Sequence, residues 1–478
     1  MSLSDLIFVF GFFPIFFAFY YLSQNKYRKY ILLVGSIFFY YVSDSNRIWV
    51  IAAMTVLTYF IALLLCRIKS KENSKWLEKL IFWVGVLGNL IPLFYYRYLN
   101  FTLANVGALF HISDVWQKND YGIPLGISFI TFSAISYLAD VYNGKIKVEH
   151  DFISFASYIW MFPKIIMGPI ERYDNIAKAF DNPDISIENT SYGIKRFIVG
   201  FCKKIIIADN LSIIVNHAFS QPDYAKASTP MLWLGSICFS LELFYDFAGY
   251  SDMAIGLASI FGFHFKENFD YPYISKSITE FWRRWHISLS TWFRDYVYIP
   301  LGGSRKSLVR NVLNLLAVWI LTGIWHGAGY KFVVWGLVYF VMLIIERYVI
   351  RLKSHNNVVL RYLWMVITLL VINFNWVIFH AEHLKNGIVY CLSMVGYYGF
   401  NNGICNQMLV DIREYWIYLL SAIVFATPIA PYIAKETSKI DRHGVLPVIE
   451  IAGYLFAFIW ALSFVLLGAH NPFIYQQF

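Results

Sequence analysis

The sequence is short of charge. Only 14% of its 478 residues are Asp, Glu, Lys or Arg, against roughly 25% in an ordinary soluble domain. A water-soluble globule of this size could not cover its surface with so few charges. The chain also lacks the marks of several functional classes. Its five cysteines, Cys66, Cys202, Cys238, Cys391 and Cys405, include no CxxC pair, which argues against a metal site or a disulfide framework and for small buried hydrophobes. HExxH, P-loop and GxGxxG motifs do not occur. No G-x-S-x-G elbow is present, so a serine hydrolase is poorly supported. No period of 20–50 residues repeats, which excludes a solenoid. Met1 to Leu22 lacks a basic leading segment and a small-residue cleavage site. It reads as a retained first span rather than a cleaved signal peptide.

What the chain has is apolar surface. Hydrophobic residues make up 58% and aromatic ones 20%, and the mean hydropathy is +0.53. A membrane helix needs about 20 predominantly apolar residues. Candidate spans are Leu6–Leu22, Tyr30–Val42, Ile48–Leu65, Leu80–Tyr96, Pro124–Leu138, Phe152–Met167, Phe197–Phe219, Met231–Phe263, Leu308–Trp325, Phe332–Ile350, Val358–Phe379, Tyr415–Ala434 and Val445–Leu467. The fold class expected is an all-α polytopic membrane protein of about eleven spans, with the shorter windows re-entrant or interfacial. Pro163 and Pro169 interrupt one apolar run and Gly249 another.

The net charge of +9 sits in loops beside apolar runs, so it points to the membrane surface and not to nucleic acid. Lys26, Arg28 and Lys29 follow the first span; Arg67, Lys69, Lys71 and Lys75 follow the third; Lys145 and Lys147 follow the fifth. That alternation places these linkers in the cytoplasm and the N-terminus outside.

Polar chemistry concentrates in two places. Tyr245 to Arg305 mixes Asp246, Asp252, Arg283, Arg284, His286, Arg294 and Asp295 with many aromatics. Trp282, Trp285 and Trp292 recur at helical spacing, as in a helix lying at the membrane interface. An interfacial anchor explains the tryptophans but not His286 among them. The second place is Leu321–Tyr330, LTGIWHGAGY, where Gly323, Gly327 and Gly329 surround His326. An ionisable group at membrane depth is expensive and marks function, and small neighbours admit a substrate or another backbone. A neutral imidazole accepts a proton from a hydroxyl and returns one to a leaving thiol. A structural histidine stays open as the alternative. Two histidines on separate elements suit acyl transfer to an alcohol, where the enzyme positions two substrates and manages one proton.

The stretch DFAGYSDMAIGLASIFGFHFKENFDYPYISKSITEFWRRWHISLSTWFRDYVYIPLGG resembles the bacterial branch of the membrane-bound O-acyltransferases, the members that serve O-acetylation of alginate and peptidoglycan and, more distantly, D-alanylation of teichoic acid. LTGIWHGAGYKFVVWG, IPLGISFITFSAISYLADVYNG and KKIIIADNL are similar to further family segments. The resemblance runs from about Pro124 to the C-terminus. It implies a ring of tilted helices around a central funnel, with His326 as the signature histidine and His286 as the second. The chain then divides into N-terminal spans (1–123), a catalytic core holding both histidines (124–350), and C-terminal spans with an aromatic tail (351–478). It implies an acetyl group taken from acetyl-CoA on the cytoplasmic side of a bacterial inner membrane, with no bound cofactor or metal. It implies an extracytoplasmic acetyl-ester transferase as partner and a polysaccharide as indirect acceptor. The chain ends NPFIYQQF, similar to an aromatic motif whose tyrosine is proposed to carry the acyl group as an ester. Tyr475 matches that position, and an interfacial anchor is the other reading. The rivals are D-alanyl transfer, which a neighbouring carrier-protein ligase would favour, and a secondary transporter of a polar solute. Paired repeats would favour the transporter, and none is found.

Overall fold

The computed structural model describes residues 1–69, 75–112, 122–350, 358–400, 403–438, 445–468 and 471–474. Helices are the regular elements among them, with no strand. This is what a bilayer dictates, since a helix satisfies its own backbone hydrogen bonds where water cannot.

Among the described residues, seven helical stretches are long and apolar enough to cross a membrane: Ser45–Lys69, Lys75–Phe110, Thr229–Ile260, Leu308–His326, Tyr330–Val349, Val358–His380 and Val445–Leu466. The pair Asn406–Phe425 and Ile429–Thr437 passes the same test only together and is bent by 74°, the geometry of a broken span or a re-entrant loop. The chain is an all-α, multi-pass membrane protein. The other expected spans are shorter, broken or more charged: Tyr30–Val42 lies in the unbroken helix Asn25–Ser43, which opens with Lys26, Arg28 and Lys29, and Phe197–Phe219 holds Lys203, Lys204 and Asp209. Ile7–Leu22 and Ile127–Tyr142 rise only about 24 Å each, less than the roughly 30 Å of hydrocarbon to be crossed. Phe152–Met167 breaks into Phe152–Trp160 and Phe162–Ile165, with Pro163 in the first turn of the second piece, where its missing N–H does no harm. Gly249, by contrast, interrupts nothing: Thr229–Ile260 runs through it as one 32-residue helix. The glycine serves packing instead, as described below.

The chain divides into two units, Met1–Phe197 with Met253–Lys266, and Ile198–Asp252 with Glu267–Phe478. In the first, the Tyr20 hydroxyl donates to Phe261 O at 2.8 Å and the Tyr158 hydroxyl to Glu171 O at 2.9 Å. The Glu171 carboxylate receives the Lys266 N–H at 2.6 Å. Buried Lys164 lies 4.3 Å from the Tyr158 ring. The second unit holds both motif histidines and a core of packed indoles and phenyl rings.

Candidate active site

His326 is the last residue of the helix Leu308–His326, which Ser307 starts by accepting the Arg310 N–H. Gly327 then ends the helix and Tyr330–Ile344 turns back against it. The two helices approach through glycine. A Cβ on Gly323 would lie 2.5 Å from Phe332 O, and one on Gly336 would lie 2.4 Å from Trp319 O. The small residues beside His326 thus admit another backbone, one of the two uses their presence allowed. His326 is buried. Its ring centroid is 4.7 Å from Trp335, 4.8 Å from Trp325 and 5.3 Å from Phe379.

Three more rings close this enclosure. Trp376 lies 5.9 Å from Trp335, Trp282 lies 5.7 Å from Trp335, and Trp285 lies 5.0 Å from Trp376. The indole N–H groups of Trp335, Trp376 and Trp282 are buried with no hydrogen-bond partner among the described residues. A buried donor left unsatisfied costs about 1–3 kcal/mol.

The Trp-rich stretch is not an interfacial helix. Trp282, Trp285 and Trp292 are buried, and the element is two short helices, Ile278–Arg284 and Ile287–Phe293. The break is His286 itself, in the left-handed region at φ 45°, ψ 56°, where a residue with a Cβ is strained by of order 1–3 kcal/mol. Anchors on both sides hold it there. Ser277 caps the first helix by accepting the Glu280 N–H at 3.0 Å. Glu346, a buried carboxylate, receives the Ile278 and Thr279 N–H groups at 2.5 and 2.9 Å and the Trp364 indole N–H at 2.9 Å. A negative charge there complements the positive end of the helix. Beyond the break, the Ile287 N–H donates to Asn268 O at 2.9 Å.

Asn268 organises the imidazole. Its Oδ1 accepts from the Ser288 N–H at 3.1 Å and the Ser288 hydroxyl at 2.9 Å, and lies 3.1 Å from His286 Nδ1. Its Nδ2 donates to the Ser251 hydroxyl at 3.2 Å. An amide oxygen only accepts, so the proton of neutral His286 sits on Nδ1 and the lone pair on Nε2. The short helices flanking His286 are not membrane-spanning segments. Burial alone pushes its imidazole down to about 3, so the ring is neutral at physiological pH. The His286 ring lies 4.6 Å from Phe247 and 6.1 Å from Trp325. Trp325, which also neighbours His326, is therefore common to both histidines. The structure brings His286 and His326 into one aromatic enclosure. Tyr475 lies outside the described residues.

Sequence reasoning missed Asn268, Glu346, Lys204 and Asp209; it named Asp246 but not the buried cluster that Asp246 forms with Lys204 and Asp209. Lys204 Nζ is 2.7 Å from a carboxylate oxygen of each aspartate. The signal was available in KKIIIADNL and YDFAGYSD: charges inside apolar runs are functional candidates by default.

The model of the membrane-bound O-acyltransferase family matches residues 36–391. The probable alginate O-acetylase AlgI of Pseudomonas aeruginosa is 39% identical over 389 residues, covering 80% of this chain and 73% of that protein. The peptidoglycan O-acetyltransferase of Helicobacter pylori is 27% identical over 99% of this chain and 96% of its own length. The teichoic acid D-alanyltransferase of Bacillus subtilis is 30% identical over 65% of this chain and 78% of its own.

Proposed function

Since the chain belongs to the membrane-bound O-acyltransferase family, and is an O-acyltransferase, we propose that it moves acetyl groups from cytoplasmic acetyl-CoA across the bacterial inner membrane for O-acetylation of an extracytoplasmic polysaccharide. The observation that carries this reading is the pair of buried histidines on separate elements that share Trp325. Alginate and peptidoglycan are the acceptors named for the relatives matched over most of this chain. An extracytoplasmic acetyl-ester transferase completes the transfer.

In this reading His326 is the general base. Its imidazole takes the proton of the attacking hydroxyl as oxygen bonds to the thioester carbonyl carbon. The carbon–sulfur bond then breaks, and the imidazolium returns the proton to the departing thiolate. Atoms and charge balance: thioester and hydroxyl become ester and thiol. The rings around His326 exclude water, which would otherwise hydrolyse the thioester. His286, in the same enclosure, orients the donor or the acceptor.

The hydroxyl is that of Tyr475. A phenol has a pKa near 10 and needs a base to become a good nucleophile at neutral pH. Its aryl ester is more reactive than an alkyl ester, so the acetyl group passes readily onward. The test is intact-protein mass spectrometry after incubation with isotopically labelled acetyl-CoA. A labelled acetyl group on the wild type, absent in Tyr475→Phe, is expected. Unchanged polysaccharide acetylation by Tyr475→Phe would end the carrier reading. Loading from a D-alanyl donor, with none from acetyl-CoA, would replace acetyl transfer with alanyl transfer.

A further inference from the structure

Lys204, Asp209 and Asp246 take no part in the chemistry above, yet all three are buried, and their arrangement has a second half. Each aspartate divides its two oxygens. Oδ1 of Asp209 and Oδ1 of Asp246 each sit 2.7 Å from Lys204 Nζ. Oδ2 of Asp246 receives the backbone N–H of Ile474 at 3.0 Å, and Oδ2 of Asp209 that of Asn471 at 3.4 Å. The remaining contacts are with the same four residues. The Asn471 side-chain amide donates to the Ser212 hydroxyl at 2.8 Å. Lys204 Nζ reaches Pro472 O at 3.5 Å and lies 4.9 Å from the Phe473 ring. Phe473 is 1% exposed and meets Tyr250 edge-on at 5.2 Å.

Two carboxylates facing one ammonium leave an excess of acceptors. Burying such a group is expensive unless its remaining oxygens are hydrogen-bonded. The donors come from residues more than 220 positions away in the chain. The backbone of Lys203–Ala208 is shaped for this task. It is a π-helical turn between Ile187–Cys202 and Asp209–Phe219, a deformation common at functional sites. Gly249 lets the opposing helix come close, since a Cβ there would lie 2.8 Å from Gly200 O and 3.2 Å from Lys204 N. That closeness brings Lys204 within reach of Asp246, one turn earlier on the same helix.

We propose that Lys204, Asp209 and Asp246, with Ser212 and Tyr250, form a peptide-binding site for the chain's own segment Asn471–Ile474. The two aspartates read its backbone N–H groups, Ser212 reads the Asn471 amide, and Tyr250 with Lys204 holds the Phe473 ring. The site acts as a positioning device for the C-terminal segment. Its use in acyl transfer rests on the Tyr475 reading; the docking itself does not.

The experiment is hydrogen–deuterium exchange on the full-length protein in detergent, followed in peptides covering Asn471–Ile474. Wild-type exchange of these amides should be slowed at least about tenfold relative to the free peptide. Phe473→Ala removes the buried ring, and Asn471→Asp replaces the donor to Ser212 with a carboxylate facing Asp209. Both substitutions lie in the tail, so they leave the helical bundle intact. Each should bring tail exchange to the free rate while the rest of the map stays unchanged. Phe473→Leu, which refills most of the volume, should restore protection in part. Asp246→Asn tests the receptor side. Free-rate exchange in the wild type overturns the proposal, and so does protection that survives both tail substitutions. Labelled-acetyl loading separates the two readings. Tyr475→Phe with full protection and normal polysaccharide acetylation removes the carrier and leaves the docking site standing. Phe473→Ala with lost protection but normal acetylation removes the positioning role.

Discussion

His286 and His326 are held by opposite means. His326 ends a 19-residue helix, and the rings of Trp325, Trp335 and Phe379 surround it. His286 stands in a strained turn between two seven-residue helices, and the Asn268 amide fixes its ring through Nδ1. Packing governs the first and hydrogen bonding the second. Packed rings keep water from the imidazole. An amide clamp sets a tautomer and an orientation and keeps both. On the proposed mechanism, proton transfer falls to His326 and alignment to His286.

The sharpest way to break that comparison is His326→Ala. Removal of a general base typically costs ~10²–10⁴-fold in rate. Transfer from acetyl-CoA should fall by that order while insertion and thermal stability in detergent persist. A folded His326→Ala protein of near-normal rate would show that the proton is managed elsewhere. His286→Asn should cost less, about ten- to a hundredfold, because orientation and not the proton is lost. An equal or greater loss than that of His326→Ala would reverse the assignment.

Next comes the backbone crossing that places His326. Gly323→Ala would bring a methyl group to 2.5 Å from Phe332 O. Overpacking of this kind costs about 1–3 kcal/mol, so a lowered melting temperature is expected together with reduced transfer. An unaltered melting temperature would show that the helix pair has slack.

A further test is the pH dependence carried by His286. Burial holds the His286 imidazole near 3, below the 6.5 of an unfolded histidine. Between pH 6.5 and 3 the unfolded chain therefore binds a proton that the folded chain refuses. The stability contributed by the neutral ring is complete above pH 6.5 and is lost as pH falls toward 3, by at most about 1.4 kcal/mol per pH unit. Melts of wild type and His286→Asn should diverge in slope across pH 6.5 to 4, with the variant less acid-sensitive. Parallel slopes would show that the ring reaches water.

Much of this was legible in the residues themselves. Apolar length revealed the longest spans, and the scarcity of charge made His326 and His286 conspicuous. Long-range pairing was not legible. Nothing local in Glu346 says that its carboxylate meets the N-terminus of Ile278–Arg284, 68 residues earlier. Nor does Asn268 announce that it brackets His286. The tryptophan spacing misled for a related reason: period alone gives one continuous helix, and the left-handed residue that breaks it is a histidine, where glycine would have been the usual signal. Gly249 misled in reverse, since a glycine in a helix can serve close packing as well as a break.

The π-helical turn at Lys203–Ala208 carries a consequence of register. Such a turn holds one residue more than the α-helical turn it replaces. In an α-helix, residues five apart are turned by about 140° from one another. In the π turn they share a face, and that is how Lys204 and Asp209 meet at 2.7 Å. Straightening the segment into α-helix with its length unchanged would therefore part the lysine from one of its aspartates, while deleting one residue would bring the flanking helices back nearly into phase.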